Sequence, residues 1–319
     1  MKTITIIGSG MMGSALAFPA RENGNTVRLV GTPLDREIID TCRATGRHPK
    51  FVKDFPAGVE YYQIEQVEEA IEGADFIICG VSSFGVEWYA ENILPILHEN
   101  VPMISVTKGL MNMEDGTLIT YLDFWQEKLD KLGKNMEILR MIKSAMTTDY
   151  YHISLSTDII GVESAVALKN GYALGVALTI GLNQKAFGLD SELHYNSQAA
   201  VFGQAVREMN KLLAIQGAAT LDNMVIGYGD LYVTVYGGRT RLVGILLGRG
   251  LTIQQAKEEL NGVTLESLVV AERVAKAIRR KAELGKADLA DFPLLMHIDD
   301  IIVGGKEVNI PWEAFTFES

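Results

Sequence analysis

Thr3–Gly13, TITIIGSGMMG, is the stretch on which the fold turns. Thr3–Ile7 is an uncharged, β-branched run of the kind that forms a buried strand. Gly8-Ser9-Gly10-Met11-Met12-Gly13 follows at once, and Met12–Asn23 then reads as a helix. A G-x-G-x-x-G turn between strand and helix is the phosphate-binding turn of a dinucleotide fold. Its first glycine permits the tight turn, its second lets the backbone approach a pyrophosphate, and its third lets helix and strand pack closely. The helix N-terminus adds N–H donors and partial positive charge. Gly8, Ser9, Gly10, Met11, Met12 and Gly13 are therefore the first candidate cofactor-binding residues.

The pattern continues outward from this turn. Thr26–Val30 reads as a strand, Asp35–Thr45 as a helix, Asp75–Gly80 as a buried strand, Ser83–His98 as a helix and Pro102–Val106 as a strand. Such alternation predicts an α/β fold with a doubly wound, Rossmann-like parallel sheet. After Asp158 the strand signals fade, and an all-helical C-terminal domain is expected. Gly161–Leu182 is almost wholly apolar, the mark of a helix buried on most sides. Thr252 and Gln255 form a capping box for a helix running to Leu260, with Gly262 as its stop. Leu268, Ala271, Val274, Ala275 and Ile278 share one face of a further helix, whose end is basic. Residues 1–157 are thus expected to be the dinucleotide-binding domain, and 158–319 a helical substrate-binding and catalytic domain.

A chain of 319 residues is long for one domain, which agrees with this division. The formal net charge of −11 repels phosphate backbones and argues against nucleic-acid binding. Two cysteines, Cys42 and Cys79, offer no disulfide framework and suit a reducing cytoplasm. The first residues lack a secretory pattern, and no uninterrupted apolar run suggests a membrane span. The expectation is a cytoplasmic protein without integral membrane association. The apolar helical part makes a homodimer the expected assembly.

The second strand bears on the choice of dinucleotide. NAD sites commonly carry Asp or Glu at its tip, roughly 20 residues past the glycines, to hold the ribose hydroxyl. Here the strand ends Val30-Gly31-Thr32-Pro33, and Asp35 comes only later. Without a carboxylate at the tip a 2′-phosphate is not repelled, which tilts the expectation towards NADP over NAD. Thr32 and Arg36 are the candidate partners of that phosphate.

Between Ser164 and Gln184 the one charged residue is Lys169, within ALKNGYALGVAL. A cation there must shift its pKa or find a partner, and Asn170 is the adjacent polar group. A desolvated lysine is a competent acid/base for carbonyl reduction. The alternative is a lysine that snorkels from the helix edge. Lys108 follows a predicted strand and so points towards the crevice side of the sheet, unless it is a surface-loop lysine. In Gly227–Thr234 and Gly237–Arg241, glycines with Thr and Arg ahead of the run Leu242–Leu247 suit an anion site, and Asp230 could tune a lysine. A solvated connector is the other reading of this segment. The five histidines show no metal-ligand spacing, so no metal is expected.

Together these segments resemble the NAD(P)-dependent glycerol-3-phosphate dehydrogenase family. The likeness runs through GSGMMG, HPKF (48–51), TKGL (107–110), DIIGVESAVALKN (158–170), GYGDL (227–231) and GGRTRLVGILLGRG (237–250). It implies interconversion of dihydroxyacetone phosphate and sn-glycerol 3-phosphate by hydride transfer, in the service of phospholipid biosynthesis. By the same resemblance Lys169 is the proton donor and acceptor, Lys108 its partner at the substrate, and Asp230 and Asn170 complete the catalytic network. Thr234 lines it, while Arg239, with Thr240 and Gly238, binds the substrate phosphate. Val81 and Glu266 join the cofactor-binding set. The chain departs from the family in having Thr240 where Asn is usual, and in lacking a Gly-Pro-Ser-Phe-Ala-like segment between Lys108 and Asp158. These departures keep two alternatives open: a dehydrogenase of another small phosphorylated or acidic carbonyl compound, and a non-catalytic dinucleotide-binding homologue.

Overall fold

A computed structural model describes residues 1–98, 100–129, 136–219, 223–260 and 266–315. The predicted helix stop Gly262, and the side chains of 127–129 and of Glu266, lie outside the described residues. Two compact units make up the chain. One comprises Met1–Lys108 with Tyr121–Thr157, the other Gly109–Thr120 with Asp158–Ser319.

In the first unit, β1 (Thr3–Ile7), β2 (Thr26–Val30), β3 (Val59–Tyr62), β4 (Phe76–Cys79) and β5 (Met103–Ser105) form one parallel sheet in the order β3-β2-β1-β4-β5. Ile4 pairs with Val27 on one side and Phe76 on the other. Ile4, Ile6, Val27, Leu29, Phe76 and Ile78 pack with Leu16, Ala17 and Ala20 of α1 (Met11–Glu22) and Ile39 of α2 (Arg36–Thr45). The strand order reverses between β1 and β4, so the carboxyl ends of those strands flank the switch-point crevice of a doubly wound sheet.

The helix expected over Ser83–His98 is broken. After the short α3 (Val67–Ile71), a 3₁₀ turn at Ser83–Gly85 precedes α4 (Val86–Asn92), and a second 3₁₀ turn covers Leu94–Ile96. Pro95 supplies no amide and its ring clashes with the preceding turn, so the helix cannot run through it. The short edge strand β3 and the helices α5 (Tyr121–Leu129) and α6 (Met136–Met146) go beyond the expected elements.

The second unit begins with an antiparallel hairpin, β6 (Leu110–Asn112) and β7 (Leu118–Thr120), while the described residues from Asp158 onward form helices and no strand, as expected. Helix α7 spans Ile159–Phe187, longer at both ends than the predicted Gly161–Leu182. Asp158 caps it, its Oδ1 accepting the Gly161 N–H at 3.1 Å. By length and composition α7 could cross a bilayer, yet 83% of its apolar window is buried inside the fold. It is the central core helix of this unit. Around it lie α8 (Tyr195–Gln216), α9 (Met224–Gly237), α10 (Arg239–Gly248), α11 (Ile253–Glu259), α12 (Glu266–Glu283) and α13 (Pro293–Ile302). The capping box at α11 forms as predicted, with Thr252 N–H on Gln255 Oε1 at 2.9 Å and Gln255 N–H on Thr252 Oγ1 at 3.2 Å.

Glycines bring α10 close to α7. A Cβ on Gly181 would lie 2.1 Å from the Ile245 carbonyl oxygen, and one on Gly248 would lie 2.3 Å from that of Leu178. Backbone cannot yield as a flexible side chain does. Gly181→Ala is therefore expected to cost about 3 kcal/mol or more, read as a lower thermal midpoint by circular dichroism.

Glu208 of α8 ties three helices together. Its carboxylate accepts the Leu294 and Leu295 amides at the start of α13 (2.7 and 3.0 Å), the Tyr172 hydroxyl (3.0 Å) and the Gln204 amide (2.8 Å). Burial pushes its pKa up to about 7 against the pull of these donors. The folded chain then holds this proton more tightly than the unfolded chain does. The group's contribution to stability accordingly declines as pH rises from about 4.5 to about 7. A carboxyl-carbon NMR titration should place the Glu208 midpoint near 7.

Candidate active site

In the first unit the glycine turn follows β1 as expected. Gly8 has φ +108°, and a Cβ there would meet the Gly80 carbonyl carbon at 2.7 Å, so only glycine is tolerated. A Cβ on Gly13 would lie 2.2 Å from the Gly8 oxygen, which makes this glycine the close-packing one. Gly10, by contrast, faces open space. It precedes α1 without a side-chain cap, leaving the first amides of that helix for another acceptor. Met11 and Met12 are half exposed at this end. Ser9 is fully buried, and its hydroxyl has no hydrogen-bond partner. An open backbone approach, uncapped helix amides and an unpartnered hydroxyl fit a pyrophosphate-bearing cofactor.

The tip of β2 is less empty of charge than its sequence suggests. Asp35 turns back, and its Oδ2 accepts the Thr32 N–H (2.9 Å), the Thr32 hydroxyl (2.8 Å) and the Ser9 N–H (3.2 Å). The premise that no carboxylate stands there is corrected. A Thr-x-x-Asp turn was its signal, and the carboxylate is engaged by three donors. Arg36, the first residue of α2, is exposed and ion-paired with Glu65. Val81 follows β4, is buried, and its carbonyl accepts the Thr107 hydroxyl at 2.8 Å. Lys108 comes next in the chain, past the end of β5 and half-buried. Glycine turn, Val81 and Lys108 thus follow the carboxyl ends of β1, β4 and β5.

In the second unit Lys169 is buried on α7, and its Nζ lies 2.5 Å from Asp230 Oδ1 of α9. Of the two outcomes open to a cation among apolar side chains, the chain has found a partner. That partner is Asp230 and not the adjacent Asn170, which is half-buried about a quarter-turn round the same helix. One turn earlier, a Cβ on Gly227 would lie 3.0 Å from that of Ala165, so the missing side chain lets the two helices approach. The Asp230 side chain is 24% exposed against 8% for Lys169, so the pair opens towards solvent on the carboxylate side.

The segment Gly227–Thr234 is helical and is not a solvated connector. Thr234 is buried, and its hydroxyl donates to the Asp230 carbonyl at 2.7 Å. Gly238 separates α9 from α10 with extended backbone, φ −79° and ψ 151°. Arg239 is then the first residue of α10, and Thr240 the second. Arg239 is exposed and Thr240 half-buried. Arg241, named in the sequence cluster but not among the candidates, has a buried Nε without a hydrogen-bond partner. No acidic residue occupies this first turn.

Among the described residues no cluster of His, Cys, Asp and Glu could hold a metal ion. The described residues between Lys108 and Asp158 form the β6–β7 hairpin and two helices and add no strand to the parallel sheet.

Comparison with known proteins matches both parts of the chain. Residues 3–139 match the family described as NAD-dependent glycerol-3-phosphate dehydrogenase N-terminus, and residues 158–313 its C-terminus. The chain is 32% identical to an NADP(+)-dependent glycerol-3-phosphate dehydrogenase of Archaeoglobus fulgidus, across 99% of both chains. It is 26% identical to a glycerol-3-phosphate dehydrogenase [NAD(P)+] of Fusobacterium nucleatum, across 88% of each. A solved glycerol-3-phosphate dehydrogenase from Coxiella burnetii shares the fold at a TM-score of 0.80 and 20% identity, covering 98% of this chain and 97% of the other.

Proposed function

The chain belongs to the NAD-dependent glycerol-3-phosphate dehydrogenase family, and on that premise we propose that it interconverts dihydroxyacetone phosphate and sn-glycerol 3-phosphate, with NADP(H) preferred over NAD(H). The Lys169–Asp230 pair carries this reading: an ammonium held by one carboxylate inside an apolar helix. A nicotinamide coenzyme held at the Gly8–Gly13 turn would supply the hydride. Lys169 donates a hydrogen bond to the substrate carbonyl oxygen and gives up its proton as negative charge grows there. Asp230 holds the ammonium charged and oriented, and the Thr234 bond to the Asp230 carbonyl steadies that turn of α9. Asn170, next to Lys169 in the chain, supplies a further donor at the substrate.

Arg239, Thr240 and the Gly238 end of α10 hold the substrate phosphate. Two arginines in the first turn oppose the helix dipole, and a bound anion offsets that cost. Phosphate binding also orients the carbonyl, so remote binding energy serves the reacting centre. For the coenzyme, Gly8–Gly13 with Val81 takes the pyrophosphate side, and Thr32 and Arg36 lie at the tip of β2.

The preference for NADP draws support from the name of the Archaeoglobus relative. Cytoplasmic location, a homodimer and supply of glycerol 3-phosphate for phospholipid synthesis belong to the same reading, as do a small-molecule partner and no nucleic-acid partner. Buried α7 and the net acidic charge support a protein that neither spans a membrane nor binds nucleic acid.

Purified protein given dihydroxyacetone phosphate should oxidise NADPH, followed by its absorbance, faster than NADH. No turnover with either coenzyme would refute the assignment. Thr240 in place of Asn favours a second reading, reduction of another small phosphorylated or acidic carbonyl compound. A better rate with such a compound than with dihydroxyacetone phosphate would select it.

A further inference from the structure

We propose that His48 is a positioning residue for the coenzyme: it holds the Ser9 carbonyl inward so that the Gly10 N–H is presented to the pyrophosphate. The proposal rests on the dehydrogenase reading above. His48 is 1% exposed, and its ring packs on Phe51 with centroids 4.5 Å apart. Its Nδ1 accepts the Lys50 N–H at 3.1 Å, so the ring proton sits on Nε2. Nε2 lies 3.1 Å from the Ser9 carbonyl oxygen and therefore donates to it. Burial holds the imidazole below the ordinary histidine range, which keeps this neutral tautomer in place near neutral pH.

The Ser9 carbonyl also accepts the Ser14 hydroxyl at 3.0 Å, while the Ser9 N–H is taken by Asp35. The backbone of Ser9 is fastened by side chains from three separate segments. In a planar trans peptide the carbonyl and the following N–H point in opposite directions. A Ser9 carbonyl drawn into the fold by His48 and Ser14 thus turns the Gly10 N–H outward, at the glycine whose Cβ position meets open space. Loss of His48 would let this peptide rotate and would weaken the coenzyme's phosphate contact without touching the substrate.

The test compares two polar replacements. His48→Gln can place an amide N–H near the former Nε2 and keep the Ser9 bond. His48→Asn reaches only as far as the former Nδ1, so it can keep the Lys50 bond but loses Ser9. NADPH affinity is measured by fluorescence titration, alongside KM for dihydroxyacetone phosphate and the thermal midpoint. His48→Asn should raise the NADPH Kd about tenfold, the scale of one lost hydrogen bond, with KM for the substrate within about twofold. His48→Gln should stay within about threefold of the unaltered protein. Equal weakening by both variants would reduce His48 to a packing role and overturn the proposal, and so would unchanged affinity in His48→Asn. If the unaltered protein binds no NADPH, the dehydrogenase reading falls, and this proposal falls with it.

Discussion

Replacing Lys169 with methionine should lower turnover of dihydroxyacetone phosphate by about 10³-fold or more while NADPH affinity stays within about twofold. The magnitude follows from what the side chain is placed to do. Its ammonium combines electrostatic stabilisation of a developing alkoxide with proton delivery, each worth orders of magnitude in rate. Methionine keeps much of the apolar stem, so α7 retains its packing while the charge is removed. The substitution does strand Asp230, whose carboxylate loses its cation at 2.5 Å. That carboxylate is partly open to solvent, so the loss of stability is expected to be smaller than the about 3–5 kcal/mol seen when a fully buried pair is broken. Circular dichroism and a melting curve separate this effect from catalysis. Asp230→Asn gives the complementary result, with a lower rate because the lysine loses the carboxylate that orients it. A Lys169→Met protein that is folded, binds NADPH and still turns over at near-normal rate would refute the catalytic assignment.

Arg239→Ala should cut kcat/KM for dihydroxyacetone phosphate by about 10²- to 10³-fold, most of it in KM. Charge-assisted bonds to a phosphate are worth about 1.5–3 kcal/mol each, and a guanidinium makes two. Thermal stability should hardly change, because Arg239 is exposed and sits where a cation disfavours its own helix. The discriminating control is unphosphorylated dihydroxyacetone. If the arginine acts through the phosphate, its removal leaves the rate with that compound unaltered, so the two changes are strongly non-additive. An equal loss with both compounds would move Arg239 from phosphate binding to a structural task.

Local pattern carries much of this architecture. Thr3–Gly13 announces its strand, turn and helix because each glycine answers a steric demand set by neighbours in sequence and by the next strand. Lys169 stands out because a charge in an apolar run is costly wherever that run lies. The Thr252–Gln255 box forms within one turn of chain and needs nothing remote. Other features also carry a local signal. Asp115-Gly116 is a hairpin turn, with Gly116 at φ +82° and its N–H on the Met113 carbonyl at 3.0 Å, and it joins β6 to β7. Pro95 likewise marks the break after Asn92.

What sequence alone determined here is the kind of chemistry present: a phosphate-binding turn, a lysine too costly to be incidental, and arginines ahead of a helix. Tertiary structure decided who meets whom. Asp230 rather than Asn170 receives Lys169, because adjacent residues on a helix point apart while the glycine-thinned crossing of α7 and α9 brings a distant carboxylate to 2.5 Å. Asp35 and His48 reach Ser9 only when β1, α2 and the segment after it have packed, since hydrogen bonds between remote segments depend on a few ångströms that no spacing along a chain encodes.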